Sequence, residues 1–285
     1  MEMPNIVGTN GVAIPALGLG TYGMNAMQLR SMVPAALKAG LRHIDTAQIY
    51  GNEEAVGDLV HQSGLPRSEV FLTTKVWVAN YASKDFAASV DESLRRLRTD
   101  YVDLLLLHWP GSPVPLAEQM AGLEAAVKAG KAKRIGVSNF NGALTAQAAK
   151  LSSIPLATNQ FEYHPYLNQD LVIERTRSAG LFVTAYCAMA VGRVFAEPGI
   201  QRMAMRHERS IAQVVLRWVF QQGIATLTRS TNPERIADNL RIFDFELSQS
   251  EMAEISMLAH PAGRIVHPSG LAPAWDATPP RTSLL

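Results

Sequence analysis

A junction that recurs along the chain, where glycine ends a helical segment and a short apolar run follows, constrains the possible folds most strongly. Glycine takes this place at positions 40, 130, 180 and 223. A glycine just past a helix supplies the left-handed residue that closes the last turn. Apolar runs without polar alternation are typical of strands covered on both faces. The sequence therefore predicts helices alternating with parallel strands.

Eight runs can be counted as candidate strands: 43–46, 71–75, 103–108, 135–139, 157–160, 182–187, 224–228 and 242–245. Eight such units close into a barrel, so the predicted fold class is α/β, a (β/α)8 TIM barrel, and we expect residues 1–285 to form one barrel domain. A doubly wound sheet would also alternate strands and helices. Its phosphate fingerprint, Gly-x-Gly-x-x-Gly, is absent, because Gly18-Leu19-Gly20 lacks the third glycine.

The two ends of the chain predict additions to the barrel. Residues 6–14 are typical of a hairpin, spanning about 5–15, with an Asn10-Gly11 turn, which could plug one barrel end. The tail, about 261–285, carries five prolines and is predicted to be a loop. The tail is either a frayed end or a lid. Trp275 points to a lid, because a large aromatic side chain would be costly to leave in water.

Composition narrows the possible partners. With 26 basic and 25 acidic residues the formal charge is +1, so no broad basic face for nucleic acid is expected. The longest apolar runs, such as 104–107, are too short to span a bilayer, and the N-terminus lacks the pattern of a signal peptide. The single cysteine, Cys187, fits a reducing compartment. We expect a cytoplasmic monomer whose partner is a small molecule.

Polar side chains cluster where the predicted strands end. Asp45, Lys75 and His108 end successive strands, and Tyr50 lies in the loop after the first of them. Carbonyl reduction by a nicotinamide needs a proton for the oxygen, and tyrosine, with a pKa of about 10, is normally a weak acid. An adjacent ammonium lowers that pKa, and a carboxylate keeps the ammonium charged. We therefore expect Lys75 to acidify Tyr50, with His108 supporting the substrate oxygen.

Each of these residues alone is more often structural, but their occurrence at successive strand ends favours a catalytic site. Six segments together resemble the aldo-keto reductase family: 18–21, 45–53, 74–77, 107–110, 136–140 and 159–166. The match keeps the family's order from about Gly18 to Asn239. Within the family, residues 45–50 and 270–276 are similar to bacterial 2,5-diketo-D-gluconate reductases of the B type.

The resemblance implies a catalytic tetrad of Asp45, Tyr50, Lys75 and His108, with Tyr50 as proton donor. It implies NADPH/NADP+ as cofactor, bound by Gly20, Thr21, Ser138, Asn139, Gln160, Tyr186, Arg229, Ser230, Arg235 and Asn239. In that set the nicotinamide amide contacts residues 138, 139 and 160, the ring stacks on residue 186, and segment 228–239 holds the 2′-phosphate. Guanidinium groups and a helix start suit a phosphate, which favours NADPH over NADH.

The sequence departs from the family pattern in two places. Residues 187–192 replace the usual Ser-Pro-Leu after the stacking tyrosine, and Thr228-Arg229 replaces the commoner Pro-Lys. The candidate substrate walls are aromatic: Tyr22, Trp77, Trp109 and Trp275. Such walls suit a planar carbonyl or a small dicarbonyl. Ketoaldehydes like methylglyoxal and diketo sugar acids follow from the resemblance only.

Two other functions remain open from the sequence. The chain could bind the cofactor as a sensor or accessory subunit without turnover, although the complete tetrad argues against this. A metal-dependent hydrolase could use His43, Asp45 and His108, but the paired His-x-His typical of such barrels is missing.

Overall fold

A closed barrel of eight parallel strands forms the centre of the molecule, in a computed structural model that describes residues 4–8 and 11–277. The barrel strands are β3 (Leu17–Gly20), β4 (His43–Asp45), β5 (Phe71–Val76), β6 (Leu104–Leu107), β7 (Ile135–Ser138), β8 (Leu156–Glu162), β9 (Phe182–Tyr186) and β10 (Ala225–Thr228). Each pairs with the next in chain order, and β10 pairs with β3 to close the ring. The predicted TIM-barrel fold is confirmed.

Helices alternate with the barrel strands and cover them. They are α1 (Ala26–Ala39), α2 (Glu53–Gln62), α3 (Ser83–Leu97), α4 (Leu116–Lys128), α5 (Gly142–Leu151), α6 (Asp170–Ser178), α7 (Pro198–Arg206), α8 (Ile211–Gln221), α9 (Glu234–Asn239) and α10 (Gln249–Ser256). Short 3-10 helices span Gln48–Tyr50, Arg67–Glu69, Val78–Asn80, Ala190–Ala196 and Leu240–Phe243. The glycines at positions 40, 130, 180 and 223 all have positive φ, as the helix-stop interpretation requires.

The predicted number of eight barrel strands is right, but the first observed strand was not predicted and the last predicted strand is absent from the barrel. Leu17–Gly20 is the first barrel strand, so the run at 43–46 belongs to the second. Gly18 is needed there because a Cβ would lie 2.6 Å from His43 Nδ1. The predicted strand at 242–245 is wrong, since Leu240–Phe243 is a 3-10 helix in which only Ile242 is buried.

The N-terminal hairpin closes the amino-terminal end of the barrel. Its strands, β1 (Asn5–Val7) and β2 (Ala13–Pro15), pair antiparallel. Ile14 is buried in a cluster with Leu104, Leu106, Ala157, Phe182 and Ala225, which are contributed by barrel strands. The hairpin is therefore a plug, as expected; Asn10 of the predicted turn lies outside the described residues.

The tail is tied to the loops that follow β6 and β7, as far as residue 277. Gly111 N donates to Leu271 O over 3.0 Å, and Gly142 N donates to the Asp276 carboxylate over 2.7 Å. Asp276 also pairs with Arg175. These contacts hold the described part of the tail against the carboxyl-terminal side of the barrel, so it is no frayed end.

Within the described ranges, the model contains no helix that combines the length and apolar character needed to cross a bilayer.

Candidate active site

Four side chains meet at the mouth formed by the carboxyl-terminal ends of the strands. Asp45 ends β4, Lys75 lies near the end of β5, and His108 follows β6. Lys75 Nζ lies 2.6 Å from Asp45 Oδ1 and 3.5 Å from the Tyr50 hydroxyl. The rings of Tyr50 and His108 meet edge to face, with centroids 5.6 Å apart. The structure thus brings together the four residues predicted as a tetrad.

The 3-10 helix Gln48–Tyr50 positions the phenol. Gln48 Oε1 accepts from Trp77 N over 2.8 Å and from Asn80 Nδ2 over 2.9 Å, while its Nε2 donates to Ser89 O over 3.1 Å. These bonds fasten the helix that carries Tyr50 to the segment that follows Lys75 and to α3. Gln48 was not among the predicted site residues, and its place two residues before Tyr50 was the only sequence signal for this role.

Burial sets the protonation states of the site. It raises the pKa of Tyr50 well above its ordinary value, and Asp45 acts in the same direction. The net direction is opposite to the one expected from Lys75 alone, because a buried phenolate is poorly solvated and the Lys75 ammonium is already paired with Asp45. Burial, reinforced by Lys75, lowers the pKa of His108 well below its ordinary value. At neutral pH the site holds a protonated phenol and a neutral imidazole.

Burial also lowers the pKa of Lys75, and the hydrogen-bonded Asp45 carboxylate partly offsets that effect. Both side chains of the pair are almost completely buried. Gln160 Nε2 donates to the second oxygen of Asp45 over 2.9 Å. Each Asp45 oxygen therefore has a donor, as a buried carboxylate requires.

The residues predicted to hold the nicotinamide form a single hydrogen-bond network beside the tetrad. Ser138 Oγ donates to Gln160 O over 2.8 Å. Asn139 Nδ2 donates to His108 O over 2.9 Å, and Asn139 Oδ1 accepts from the Tyr186 hydroxyl over 2.7 Å. Asn139 takes a left-handed backbone, with φ of 63°, which asparagine tolerates better than most residues. The network holds the Tyr186 hydroxyl beside Asn139.

Gly20 and Thr21, two residues predicted to contact the cofactor, lie at the carboxyl-terminal end of β3. Thr21 is completely buried, and both its N and its Oγ1 donate to Asp45 O, over 3.0 and 2.9 Å. Its side chain thus holds the end of β4 in place. Gly20 is half-buried, and a Cβ there would meet only ordinary contacts.

The predicted phosphate segment presents two exposed guanidinium groups. Arg229 and Arg235 are exposed, and within the described part of the chain no carboxylate lies within 4 Å of either. Ser230 Oγ accepts from Asn232 N over 3.0 Å, and the buried Asn239 side chain donates to Thr228 Oγ1 over 2.9 Å. Ser230 and Asn239 therefore shape the loop. Arg229 Nη2 donates to Gly23 O over 3.4 Å, and neither arginine is neutralised by a carboxylate of the described residues.

The predicted aromatic walls separate into two pairs. Tyr22 lies 5.1 Å from the Tyr50 ring and Trp77 lies 5.3 Å from His108, measured between centroids. Trp109 is buried, with its backbone bonded to the Tyr81 hydroxyl. The Arg264 guanidinium lies over the indole of Trp275, with its Cζ 3.8 Å from the centroid of that ring. Tyr22 and Trp77 thus flank the tetrad directly, whereas no ring contact joins the other two to it.

The segment after Tyr186, where the sequence departs from the family pattern, has an unusual backbone. Cys187, Ala190 and Val191 have φ of 61°, 46° and 54°. Left-handed backbone is disfavoured for a β-branched residue. Val191 is 78% exposed, so this strained turn projects from the surface beside the mouth.

A buried carboxylate that the sequence analysis did not single out anchors the start of the tail. Glu162, completely buried, accepts from Ile265 N over 2.7 Å and from Val266 N over 2.9 Å. His164 Nε2 lies 2.9 Å from the same carboxylate. Glu162 and His164 stand in the segment that carries the family resemblance, which was the available signal.

The side chains proposed for a metal site are engaged elsewhere. His43 Nε2 lies 2.9 Å from Thr73 Oγ1, and Asp45 is paired with Lys75. Among residues 4–8 and 11–277, no three His, Cys, Asp or Glu side chains are arranged to hold a metal ion.

Comparisons with known proteins identify the family. A model described as "Aldo/keto reductase family" matches residues 16–260. A methylglyoxal reductase, DkgB, of Salmonella typhi is 40% identical over 268 residues, which are 93% of this chain and 100% of that protein.

Two solved structures are similar over almost the whole chain. A candidate 2,5-diketo-D-gluconic acid reductase B has a TM-score of 0.94 and 53% identity, covering 96% of this chain and 98% of the other. A Bombyx mori aldo-keto reductase in complex with NADP has a TM-score of 0.85 and 32% identity, covering 91% and 94%.

Proposed function

This chain belongs to the aldo/keto reductase family and is an oxidoreductase that acts on carbonyl groups; we propose that it reduces them with NADPH and that Tyr50 delivers the proton. One observation carries the proposal. The Tyr50 hydroxyl lies 3.5 Å from Lys75 Nζ, which is itself bonded to Asp45, at the open mouth of the barrel.

The cofactor supplies the hydride that adds to the carbonyl carbon. The Tyr50 phenol gives its proton to the substrate oxygen as negative charge develops there, since an alkoxide is far more basic than a phenolate. The raised pKa of Tyr50 suits this role, because the phenol keeps its proton until that moment. Lys75 then stabilises the phenolate, and Asp45 holds the ammonium in place.

His108 supports the same oxygen. Its imidazole is neutral because burial lowers its pKa, so it can donate one hydrogen bond without adding a charge. Donors aimed at the place where charge develops in the transition state are a large source of rate enhancement. Tyr50 and His108 form two sides of that position, and Trp77 backs the imidazole.

The proposed preference for NADPH rests on two arginines whose charge no carboxylate of the described residues neutralises. Arg229 and Arg235 present exposed guanidinium groups, and such groups pair strongly with phosphate oxygens. The nicotinamide would lie on the Tyr186 ring, within reach of Asn139 and Gln160. The similar Bombyx mori reductase, solved with NADP, supports this assignment.

We propose small dicarbonyls, either α-ketoaldehydes or diketo sugar acids, as substrates. The aromatic flank of Tyr22 and Trp77 suits a small planar carbonyl. The descriptions of two similar proteins, the methylglyoxal reductase and the candidate 2,5-diketo-D-gluconic acid reductase B, name such compounds.

The single cysteine, whose pKa burial raises to about 11, fits a reducing compartment, and we propose the cytoplasm as the location of this protein.

A carbonyl panel tests the proposal. Purified protein is mixed with NADPH or NADH and with aldehydes, methylglyoxal, glyoxal or 2,5-diketo-D-gluconate, and oxidation of the cofactor is followed by absorbance. We expect turnover of the dicarbonyls with higher kcat/KM for NADPH than for NADH. NADPH binding without turnover of any carbonyl would contradict the proposal and favour a cofactor-binding sensor or accessory subunit.

A further inference from the structure

Tyr50 is supported differently from the other three members of the tetrad. Asp45 and Lys75 lie on barrel strands and His108 directly follows one, whereas Tyr50 ends a 3-10 helix of three residues. Within that turn, Tyr50 N donates to Ala47 O over 3.1 Å. The hydrogen-bond geometry of so short a helix is poorer than that of an α-helix. The position of the phenol therefore depends on side chains that anchor the segment from outside.

The amide of Gln48 anchors this helix through two backbone groups of opposite kind. Its Oε1 accepts from Trp77 N over 2.8 Å, and its Nε2 donates to Ser89 O over 3.1 Å. Its other partners are Asn80 Nδ2 at 2.9 Å and Ser93 Oγ at 3.2 Å. A backbone N–H only donates and a backbone carbonyl only accepts, so the orientation of the amide is fixed. Neither an apolar side chain nor a carboxylate makes both contacts.

The base of the same loop is held by a second amide, that of Asn52. Asn52 is 8% exposed, and its Oδ1 accepts from Thr46 Oγ1 over 2.8 Å. Its Nδ2 donates to Thr21 O, in the loop after β3, over 2.9 Å. These bonds do not involve Gln48. Loss of the Gln48 amide should therefore release the helix that carries Tyr50 while the base of the loop stays in place.

The bond from Gln48 to Trp77 also connects the two groups that face the substrate oxygen. The indole of Trp77 meets the imidazole of His108 edge to face, with centroids 5.3 Å apart, and the centroids of Tyr50 and His108 lie 5.6 Å apart. One amide thus joins the helix of the phenol to the residue that backs the imidazole. We propose that Gln48 is a positioning residue, which sets the place of Tyr50 relative to His108 for proton delivery; this inference rests on the proposed reductase function.

Replacing Gln48 by Met tests this role, because methionine has a similar length and lacks the amide. A displacement of about 1 Å at a reacting group can cost on the order of 100-fold in rate. In a single turnover of saturating methylglyoxal with bound NADPH, we expect the rate constant of Gln48→Met to fall about 10- to 100-fold. The Kd of NADPH should stay within about twofold, since Gln48 bonds to none of the residues proposed to hold the cofactor.

Gln221→Met is the matched control. Gln221 ends α8, and its amide also bridges two segments: Oε1 accepts from Leu247 N over 3.0 Å, and Nε2 donates to Leu247 O over 2.7 Å. The end of α8 leads into β10 at the amino-terminal end of the barrel, opposite the mouth. A general loss of structure lowers the amplitude of the single turnover, which counts the folded chains, whereas a displaced phenol lowers its rate constant. Gln221→Met should therefore keep the rate constant, and equal slowing of both variants would overturn the proposal.

The place of the phenol is also measured without turnover. We expect 3-fluorotyrosine at position 50 of the full chain to give the same ¹⁹F resonance in the otherwise unaltered chain and in Gln221→Met, and a shifted or broadened one in Gln48→Met. An unchanged resonance in Gln48→Met, or a rate constant within about twofold of that of the unaltered chain, would overturn the role of Gln48. Absence of carbonyl turnover in the unaltered chain would instead refute the reductase function, and the ¹⁹F resonance would still decide whether Gln48 positions Tyr50.

Discussion

Replacing Lys75 by Met should strongly destabilise the folded chain. Lys75 Nζ lies 2.6 Å from Asp45 Oδ1, and both side chains are almost completely buried. Removing one partner of a buried ion pair strands the other charge, which typically costs about 3–5 kcal/mol. In Lys75→Met only Gln160 would remain to bond the Asp45 carboxylate. We therefore expect the free energy of unfolding, measured by urea denaturation at pH 7, to fall by about that amount.

The double variant Asp45→Asn/Lys75→Met is the control. It removes both charges and keeps an acceptor for Gln160, so it should regain most of the stability lost in Lys75→Met. A loss below about 1 kcal/mol in the single variant, or a double variant no more stable than it, would refute the reasoning.

Three further outcomes follow from the structure. Arg235→Ala should raise KM for NADPH about tenfold or more and leave KM for NADH nearly unchanged, because the 2′-phosphate of NADPH loses a partner. Arg241→Ala is the surface control. Equal effects of Arg235→Ala on the KM values of both cofactors would contradict the assignment of Arg235 to the phosphate site. Burial lowers the pKa of His43 from 6.5 to about 3, so the folded chain resists its protonation and loses stability as pH falls below 6.5. His43→Gln should reduce the stability lost between pH 7 and pH 5 by about 2 kcal/mol in urea denaturation, and parallel pH profiles would show that His43 is not the cause. Gly18→Ala should lower the free energy of unfolding by about 1–3 kcal/mol, since its Cβ would lie 2.6 Å from His43 Nδ1, whereas Gly20→Ala, with its nearest contact at 3.6 Å, should cost clearly less.

The residues at the mouth of the barrel could be predicted because the ends of the strands could be predicted from the sequence. Asp45, Lys75 and His108 stand at the ends of apolar runs, and closure of parallel strands brings those ends to one rim. The first strand was missed because Leu17–Gly20 alternates leucine with glycine and resembles a turn. Gly18 is required there because His43, 25 residues further along the chain, leaves no room for a side chain, and no local sequence pattern indicates this contact.

Properties that depend on many distant contacts at once could not be predicted. The upward pKa of Tyr50 comes from burial together with Asp45, whereas the sequence pointed only to the adjacent ammonium. The anchoring of the tail depends on Glu162, whose backbone donors lie about a hundred residues further along.

The proposed catalysis depends most on Tyr50 as the proton donor, and Tyr50→Phe removes the phenolic proton in a single turnover of methylglyoxal with bound NADPH. We expect NADPH affinity, measured by fluorescence titration, to be retained and the rate of reduction to fall about 100-fold or more. Tyr22→Phe, whose ring lies 5.1 Å from that of Tyr50, should keep the rate within a few-fold. An undiminished rate in Tyr50→Phe would show that Tyr50 is not the proton donor.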